Sequence, residues 1–599
     1  MNLQITVIFI FLLSFLSASG QFRVVDASRL QLMPGLHFIP DVEGKVLISD
    51  ALYEQLEIYE TGQVPVVYPL WPITRSGAVE EGGAWGNCDN DPDLEIIYAV
   101  GNKLYVFNSN GSLVSGWPRT LDYPTDGAPA FGDIDGDGYG EIVVTTHQPA
   151  TFAHGTIYAF EINGADVLGF PVPTVGGALR TPVLADLDGD GALEIIVTIR
   201  KHPEGFIHVY KGNGSMLPGW PQRMDYVPGS AAAAGDITGN GIPEVVAQSY
   251  YGLHAFTADG ILMPGFPYYP GTNRVFSYST PVLADINQNG LREIICGDHS
   301  LDTGNGAIHI VRNDGTAFPG WPKFTDAWIY SPPSVGDING DGLLDIVVGD
   351  QMISTTPQNK VYAWTALTGN PLPGFPITGV WGINTQIILA DLDGDGMVDM
   401  MFDDNTSVGK YQGYNHDGTP MEGWPLYLNG STFYICPMVF DVKRDGIMDI
   451  SGAGYDHVTG NTNLYLWNAN VPMNNDLAIL PTLQYNTRRN GVYGDYLMVG
   501  TPEISTEPEE PWIIYPNPAT TRLHIRKSNP GFQSNSNGTW LVHVFNASGK
   551  LVYQNAMPAG TDTLQLNTAT LPSGIYWLVI RSGRSADYMR KIMVLHPSR

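Results

Sequence analysis

The stretch "DIDGDGYGE" holds Asp133, Asp135, Asp137 and Glu141 with glycines between them. Carboxylates this close repel one another unless a cation sits among them. Acids at positions 1, 3 and 5 of a glycine-bearing turn can converge on one point, because the glycines admit the backbone angles that the turn needs. The fourth acid, at position 9, opens the β-branched run "EIVVTT" and so lies where a returning strand begins. Hard divalent cations take oxygen ligands of this kind, from carboxylates, amides, carbonyls and water. The chemistry expected is therefore cation holding by oxygen, with a backbone carbonyl from position 7 completing the set.

The spacing of the first three acids is that of a calcium loop, D-x-[DN]-x-[DN]-G. An EF-hand would place a bidentate Glu at position 12 between two helices, whereas here the acid stands at position 9 before a strand. The motif also recurs every 46 to 54 residues. Four acids stand at Asp133/Asp135/Asp137/Glu141, Asp186/Asp188/Asp190/Glu194 and Asp391/Asp393/Asp395/Asp399. Three stand at Asp337/Asn339/Asp341/Asp345 and Asn87/Asp89/Asp91/Glu95. Asp236/Thr238/Asn240/Glu244 and Asp285/Asn287/Asn289/Glu293 keep two acids but have oxygen at every ligand position. These seven loops are the predicted structural Ca2+ sites. The eighth copy, Asp441/Lys443/Asp445/Asp449, has a lysine at a ligand position and is expected to hold calcium weakly or not at all, its acids satisfied internally.

Each motif sits in a larger unit. An aromatic–proline pair precedes it: Trp71-Pro72, Trp117-Pro118, Phe170-Pro171, Trp220-Pro221, Phe266-Pro267, Trp321-Pro322, Phe375-Pro376 and Trp424-Pro425. An apolar strand follows it, and then a hairpin such as "TIYAFEINGADVLGFP", where Asn163-Gly164 and its counterparts at 213–214, 259–260 and 314–315 supply the left-handed residues of a tight turn. A repeat of about 50 residues reading strand, acidic loop, strand, loop, strand, turn, strand is one blade of a propeller. The prediction is an all-β protein: a β-propeller of about eight four-stranded blades, seven being the alternative count, over residues 21–497. The segment 45–72 either completes the blade opened near Asp441 by strand exchange or forms a degenerate extra blade.

The repeated motif before a β-branched strand resembles the FG-GAP repeat (integrin-α-like, or VCBS) over roughly 71–497. That resemblance implies an acidic loop joining the first two strands of a blade around a calcium ion. It leaves function open, because such propellers serve adhesion, ligand binding and catalysis. Residues 513–599 resemble the C-terminal sorting domain of the type IX secretion system through "YPNPAT" (515–520), "VFNASGKLVYQ" (544–554), "LPSGIYWLVI" (571–580) and "RKIMVL" (590–595). The resemblance implies a small Ig-like β-sandwich that partners the type IX secretion machinery at the outer membrane. Between them, 498–512 is polar, acidic and proline-bearing, the composition of a linker.

Bulk properties narrow the rest. The chain of 599 residues has a net charge of −30, which excludes nucleic acid as partner, since phosphate binding needs clustered Lys and Arg. Residues 1–20 carry a short apolar run and small residues at 17–19, the pattern of a signal peptide too short to span a membrane. No transmembrane segment is expected in the mature chain, which is placed outside the cell or on its outer surface. Cys88, Cys296 and Cys436 read as buried thiols rather than a disulfide framework. His208, His254 and His309 share one repeat position with tyrosines of other units, which favours a structural role over a metal site. No residue set is assigned to catalysis. Tyr330, Trp328, Trp381 and Tyr434 fall outside the repeat phase and are the candidates for contact with an extracellular glycan or protein. The expected function is a binding or adhesion module; the alternative is a calcium-dependent polysaccharide-degrading enzyme using Arg180, Arg200, Lys201 or Arg274.

Overall fold

The computed structural model describes the strands at 22–26 and 45–49, then residues 65–89, 91–276, 278–352, 356–403 and 409–495, and in the C-terminal part 512–515, 522–527, 540–546, 550–557, 563–581 and 588–594. The proposed signal peptide and nearly all of the 498–512 segment lie outside the described residues. So do parts of the "YPNPAT" and "VFNASGKLVYQ" motifs. The chain divides into two compact units, Met1–Thr501 and Pro502–Arg599.

Every described element is a strand, and the sheets are small and antiparallel. In the unit carrying Asp133, Ala130–Gly132, Glu141–His147, His154–Phe160 and Val172–Val175 pair in sequence order. The acidic loop is the connection between the first two. Glu141 faces Gly132 across the ladder, and Ile142 pairs with both Phe131 and Phe160. Eight sheets among the described residues repeat this plan, one for each motif. The second strand is buried along its whole length in most of them, as at Glu141–His147. A strand covered on both faces has no solvent side to reserve for polar residues, which is why "EIVVTT" and "EIIVTI" do not alternate.

The cores lie between sheets. One joins Ala130, Val143 and Ile157 to Leu184, Ile195 and Val197 of the next sheet. Another joins Ile97 and Val106 to Phe131 and Ile142. First strands adjoin in sequence order, from Ala84–Gly86 to Ala130–Gly132, Val183–Ala185 and onward. The last sheet returns to the first: Trp85 stacks on Phe440 at 5.1 Å, and the Leu94 amide donates to the Val442 carbonyl at 2.7 Å. Val66–Val67 and Ile73–Ser76 pair with Asn461–Pro472, the third strand of the Asp441 sheet. The chain on both sides of Trp71 thus completes that sheet; Lys45–Ser49 pairs instead with Phe22–Asp26.

The aromatic–proline pairs pack sheet to sheet. The indoles of Trp71, Trp117, Trp220 and Trp321 donate to the carbonyls of Ser109, Ile162, Ala258 and Ala366 at 2.9–3.0 Å. In five pairs the preceding glycine, at 116, 169, 219, 265 and 374, is pressed against the hairpin turn of the following sheet. A Cβ on Gly116 would stand 2.0 Å from the Asn163 carbonyl oxygen, and Gly116 has φ +95°. Of each Asn-Gly or Asp-Gly pair expected to supply the left-handed residues, only the glycine is left-handed. In the Asn163-Gly164 hairpin the glycine alone is left-handed, the Gly164 amide donates to Glu161, and the Glu161 amide reaches past it to Ala165. That is a three-residue loop with a glycine bulge, the next commonest hairpin solution.

A segment with no repeat phase fills the axis of this unit. Backbone or side-chain atoms of Leu480 to Tyr493 hydrogen-bond to the first strand of every one of the eight sheets or to the residue beside it. Leu389, Val439, Val335, Phe131, Leu184, Ala234 and Leu283 all donate to it at 2.8–3.2 Å. The eighth contact is Arg489, fully buried, whose guanidinium donates to the carbonyls of Gly83, Pro129 and Leu483 and to Thr482 Oγ1.

The second unit has two antiparallel sheets, one of Trp512–Tyr515, Arg522–Lys527 and Thr563–Asn567 and one of Trp540–Asn546, Leu551–Met557, Gly574–Arg581 and Tyr588–Val594. Leu523, Ile525 and Leu566 of the first share one core with Val542, Val544, Leu578 and Ile580 of the second. Among the described residues no helix is long and apolar enough to cross a membrane.

Candidate metal centres and the opposite rim

The eight loops share a hydrogen-bond frame. The position-1 aspartate caps the turn: Asp133 accepts from the Gly136 and Gly138 amides at 2.7 and 3.0 Å, and Asp186, Asp236, Asp285, Asp337, Asp391 and Asp441 accept from the position-6 glycine of their own loops. The Asn87 loop departs, with Pro92 at position 6 and Asn87 donating to the Asp91 carbonyl. The position-5 side chain accepts from the position-7 amide in every loop, as in Asp137 with Tyr139 at 2.8 Å. The position-9 acid closes the loop: one oxygen accepts from the position-2 amide in all eight, at 2.5–3.2 Å.

What becomes of the second oxygen of that acid separates the loops. In Glu95, Glu141, Asp345 and Asp399 it is buried with no hydrogen-bond partner among the described residues. In Glu244 it accepts from Thr238 at 3.1 Å, in Glu293 from Asn287 at 2.9 Å, and in Asp449 from the Tyr68 phenol at 2.8 Å. The carboxylate oxygens of Asp133/Asp135/Glu141, Asp186/Asp188/Glu194, Asp391/Asp393/Asp399 and Asp89/Asp91/Glu95 lie within 4.8 Å of one another in each set. The Asn87, Asp133, Asp337 and Asp391 loops thus keep an unspent buried oxygen, and the Asp236, Asp285 and Asp441 loops satisfy it with a neighbouring hydroxyl or amide.

Position 5, counted as a ligand from spacing, accepts a hydrogen bond from its own turn in every loop. Asp137, Asp190 and Asp395 stand outside the gathered oxygens of their loops, where positions 1, 3 and 9 meet without them. Asn240, Asn289 and Asp341 are exposed in the same way as these three. Each of the six turns back on its own loop instead. Asn240 accepts from the Ile242 amide at 2.7 Å, Asn289 from Leu291 at 2.8 Å, Asp341 from Leu343 at 2.8 Å and Asp395 from Met397 at 2.8 Å. The reason is local: a short Asx side chain at a turn reaches the amide two residues on before it reaches anything across the loop. Asp91 alone at this position joins a gathered set, in the loop whose position 6 is proline.

Burial sets the electrostatics. It pushes the carboxyls of Glu95, Glu141 and Asp399 up to about 8, with the acids of their own loops adding to the rise. Glu194, Asp345 and Asp449 rise to about 7 for the same leading reason. A cation in the loop reverses this, because an opposite charge within bonding distance favours the ionised carboxylate. The donor set is all hard oxygen, which suits calcium.

Two lysines lie differently from what their loops suggest. Lys211 caps the third strand of the Asp186 sheet, and its ammonium contacts Asp188 and stands 3.6 Å from Asp190. Its hydrogen bond holds Asp188 below the usual carboxylate range. An acid-rich loop therefore carries its own cation, which its local sequence does not reveal. Lys443 turns out of the Asp441 loop and lies 4.2 Å from the centre of the Tyr68 ring, so the internal partner of Asp449 is Tyr68.

The histidines are structural. His208 bonds to the Tyr210 hydroxyl, His254 to the Gly252 carbonyl, and His309 to both Asp298 and Tyr268. Cys88, Cys296 and Cys436 are free and buried. Arg274 forms a two-pronged pair with the fully buried Asp298. Arg200 lies over the Phe152 ring, and Lys201 is exposed at the end of its strand.

At the other end of the sheets, aromatic residues gather. Antiparallel connection puts the acidic loops on one rim, and puts on the opposite rim the turns between second and third strands and the crossings to the next sheet. Tyr278 stacks on Tyr330 at 5.2 Å and meets Tyr434 edge-on at 6.4 Å. His299 stacks on Trp328 at 4.2 Å and on Tyr330 at 6.2 Å. Three of the four out-of-phase aromatics thus converge; Trp381 lies in a crossing at the same end, between Ile377–Val380 and Ile388–Ala390. The cluster gained members that the sequence does not single out. Tyr226, Tyr250 and Tyr251 pack together at 5.0–6.0 Å, and the Phe276 amide donates to the Tyr250 carbonyl, joining that group to Tyr278. Arg180 lies over the Tyr278 ring at 5.0 Å, pairs with Glu81 at 3.2 Å and donates to the Gly229 carbonyl.

Comparison with known proteins follows this division. Residues 87–144, 186–247 and 285–348 match the FG-GAP-like repeat, and 513–595 match the secretion system C-terminal sorting domain. No curated protein matches the chain. Solved structures with a similar course include the V. cholerae biofilm matrix protein Bap1, at 13% identity and TM-score 0.32 over 79% of this chain and 82% of that one. The dihydro-heme d1 dehydrogenase NirN has 12% identity and TM-score 0.36 over 68% and 78%. The calcium-binding protein regucalcin from Agrobacterium tumefaciens has 13% identity and TM-score 0.26 over 55% and 91%. Likenesses this loose leave ligand and chemistry open. The sorting domain assigns the protein to export by type IX secretion, toward the outer surface or the extracellular space. The chain thus carries three matches to the FG-GAP-like repeat and one to the secretion system C-terminal sorting domain.

Proposed function

We propose that this protein is a secreted, calcium-stabilised β-propeller of eight blades that acts as a binding module for an extracellular glycan or protein. The domain plan that goes with it is a signal peptide at 1–20, the propeller over 21–497, a linker at 498–512 and an Ig-like sorting sandwich at 513–599. The observation that carries the binding role is the convergence of Tyr278, Tyr330 and Tyr434 with Arg180 and Glu81 on the rim away from the acidic loops. Exposed aromatics that cluster beside a few fixed polar groups favour ligand contact over folding. The calcium role is supported by the four loops whose buried oxygen has no partner. In this reading Asp133, Asp135 and Glu141, Asp391, Asp393 and Asp399, Asp89, Asp91 and Glu95, and Asp337, Asn339 and Asp345 hold the ion most strongly. The Asp236 and Asp285 loops hold it less, and Asp441 not at all. Calcium there would pin the first two strands of a blade and neutralise charge.

The test is retention of the purified protein, in calcium, on an array of glycans and on extracellular-matrix proteins. Binding without a change in the ligand supports the module. Release of unsaturated or shortened product overturns it in favour of a polysaccharide-degrading enzyme. Failure to bind either panel also overturns it.

A further inference from the structure

Each second strand opens on its position-9 acid, and one residue of the third strand or its end stands across the ladder from that acid. Asp345 pairs with Thr365, and Asp449 with Asn468. Ile142 pairs with Phe160 and Ile195 with Tyr210. One step further along these registers, Glu161 stands opposite Glu141 and Lys211 opposite Glu194. Residues opposed in an antiparallel pair share one face of the sheet, with Cβ atoms about 5 Å apart. Asparagine or threonine holds this place in five sheets, arginine at 312, lysine at 211 and glutamate at 161. The place lies outside the acidic motif.

Lys211 demonstrates what a side chain at this place can reach. Its ammonium contacts Asp188, one of the three acids that gather their oxygens in that loop, and stands 3.6 Å from Asp190. Arg312 turns aside and lies over the Phe318 ring at 5.3 Å. Glu161 brings the opposite charge. It is half-buried, and its carboxylate has neither hydrogen bond nor ion pair among the described residues. Burial, then Asp135 and Asp137, push its carboxyl up, so its electrostatic neighbours are the acids of its own loop. Across from it Glu141 is fully buried, with Oε1 unpartnered among the described residues. The carboxylate oxygens of Glu141, Asp133 and Asp135 lie within 4.8 Å of one another. Like charges placed directly opposite in a sheet destabilise it, and a cation between them removes the cost. The next sheet meets the same geometry with an ammonium.

We propose that Glu161 is a further oxygen ligand of the Asp133 loop, and that the residue opposite the position-9 acid selects the cation its loop holds: a bound divalent ion under glutamate, the chain's own ammonium under lysine. This rests on the calcium reading of the loops and goes beyond it, because it gives the choice of occupant to a residue outside the motif. Ligand charge count tunes the affinity of oxygen sites, so the Asp133 loop is the tightest of the set.

The loop carries its own reporter. Tyr139 stands at its position 7, is 44% exposed, and is the one aromatic residue within any of the eight motifs. The test is titration of the full-length, chelator-stripped protein with terbium, a hard ion that takes the same oxygen ligands as calcium. Luminescence is excited through tyrosine, and Tyr139→Leu assigns the signal to this loop. Calcium stoichiometry and melting curves in EDTA and in calcium accompany it. The expected result is a Tyr139-dependent signal that calcium displaces and that Glu161→Gln weakens about tenfold. Glu161→Lys abolishes it, lowers the calcium stoichiometry by one ion and melts above wild type in EDTA, the new lysine serving this loop as Lys211 serves the next. The melts confirm that both variants fold. Terbium held as tightly by both folded variants as by wild type overturns the inference and leaves calcium stabilisation standing. If wild type binds neither ion, the inference falls with the calcium reading, and a melt indifferent to EDTA identifies that reading as the failure.

Discussion

A single oxygen distinguishes the acidic loops from one another. In the Asp133 loop the second oxygen of Glu141 has no partner, whereas in the Asp236 loop Thr238 supplies one. The acid count along the sequence already ranked these two loops in that order. Spacing shows which residues can converge and not which amide each meets first, so it does not reveal that Asn240, Asn289 and Asp395 also serve the turn itself. Nor could it rank the Asp186 loop, because Lys211 arrives from the end of the third strand, 23 residues beyond Asp188. Lys211→Ala is therefore expected to raise the calcium stoichiometry by one ion, read by titration of the chelator-stripped protein; unchanged stoichiometry counts against the lysine as occupant. Glu80 provides a test by pH. Burial pushes its carboxyl up to about 8, Asp126 and Glu81 reinforcing the rise and Arg180 opposing it. A carboxyl whose folded value exceeds its unfolded one stabilises the fold below the unfolded value, near 4.5, and loses that contribution as pH climbs through 8. Glu80→Gln should thus raise the melting temperature by about 2–4 °C at pH 9 and leave it unchanged at pH 4. A gain of equal size at both values would place its cause elsewhere.

At the scale of elements, the repeat was readable because its chemistry is local. An acid at position 9 precedes a strand, an aromatic–proline pair sits 16 residues before most motifs, and these recur in phase. The hairpin turns were legible as tight turns but not in type, because Asn-Gly serves both the two-residue turn and the three-residue loop with a glycine bulge. Five of the turns also receive the glycine of the preceding sheet, as Gly116 meets Asn163. The axial segment was missed altogether, since "PTLQYNTRRNGVY" has no period and its partners are eight strands hundreds of residues away. Its central residue carries a prediction. Arg489→Met removes the donor from Gly83, Pro129, Leu483 and Thr482 and leaves buried acceptors unmet. The expected loss is about 2–4 kcal/mol by denaturant melts; a neutral result would mean that the carbonyls find other donors.

For the molecule as a whole, charge and destination meet. A net charge of −30 concentrated in rim loops strains the compact state by self-repulsion, and divalent ions relieve it. A site with Kd of about 10⁻⁴ M contributes about 1.4 kcal/mol at millimolar calcium, so several sites together shift the melt by many degrees. EDTA should lower the melting temperature and calcium restore it, with magnesium much less effective; a melt indifferent to both would remove calcium from the account. Deleting 513–599 should leave the first unit folded and calcium-responsive yet hold it inside the cell, measured by fractionation. That destination was legible because sorting motifs are read by other proteins and so stay explicit in sequence. The binding rim was not, because it is assembled from crossings of different sheets.

The axial segment has one more consequence. Tandem repeats that touch only their neighbours unravel piecemeal from whichever end is weakest. Here the 66–76 strands close the circle and the 480–493 stretch fastens every inner strand to one spindle. With no end from which to peel, the eight sheets are bound to melt as one cooperative body, and a cut in any single hairpin leaves the rest still held to the spindle.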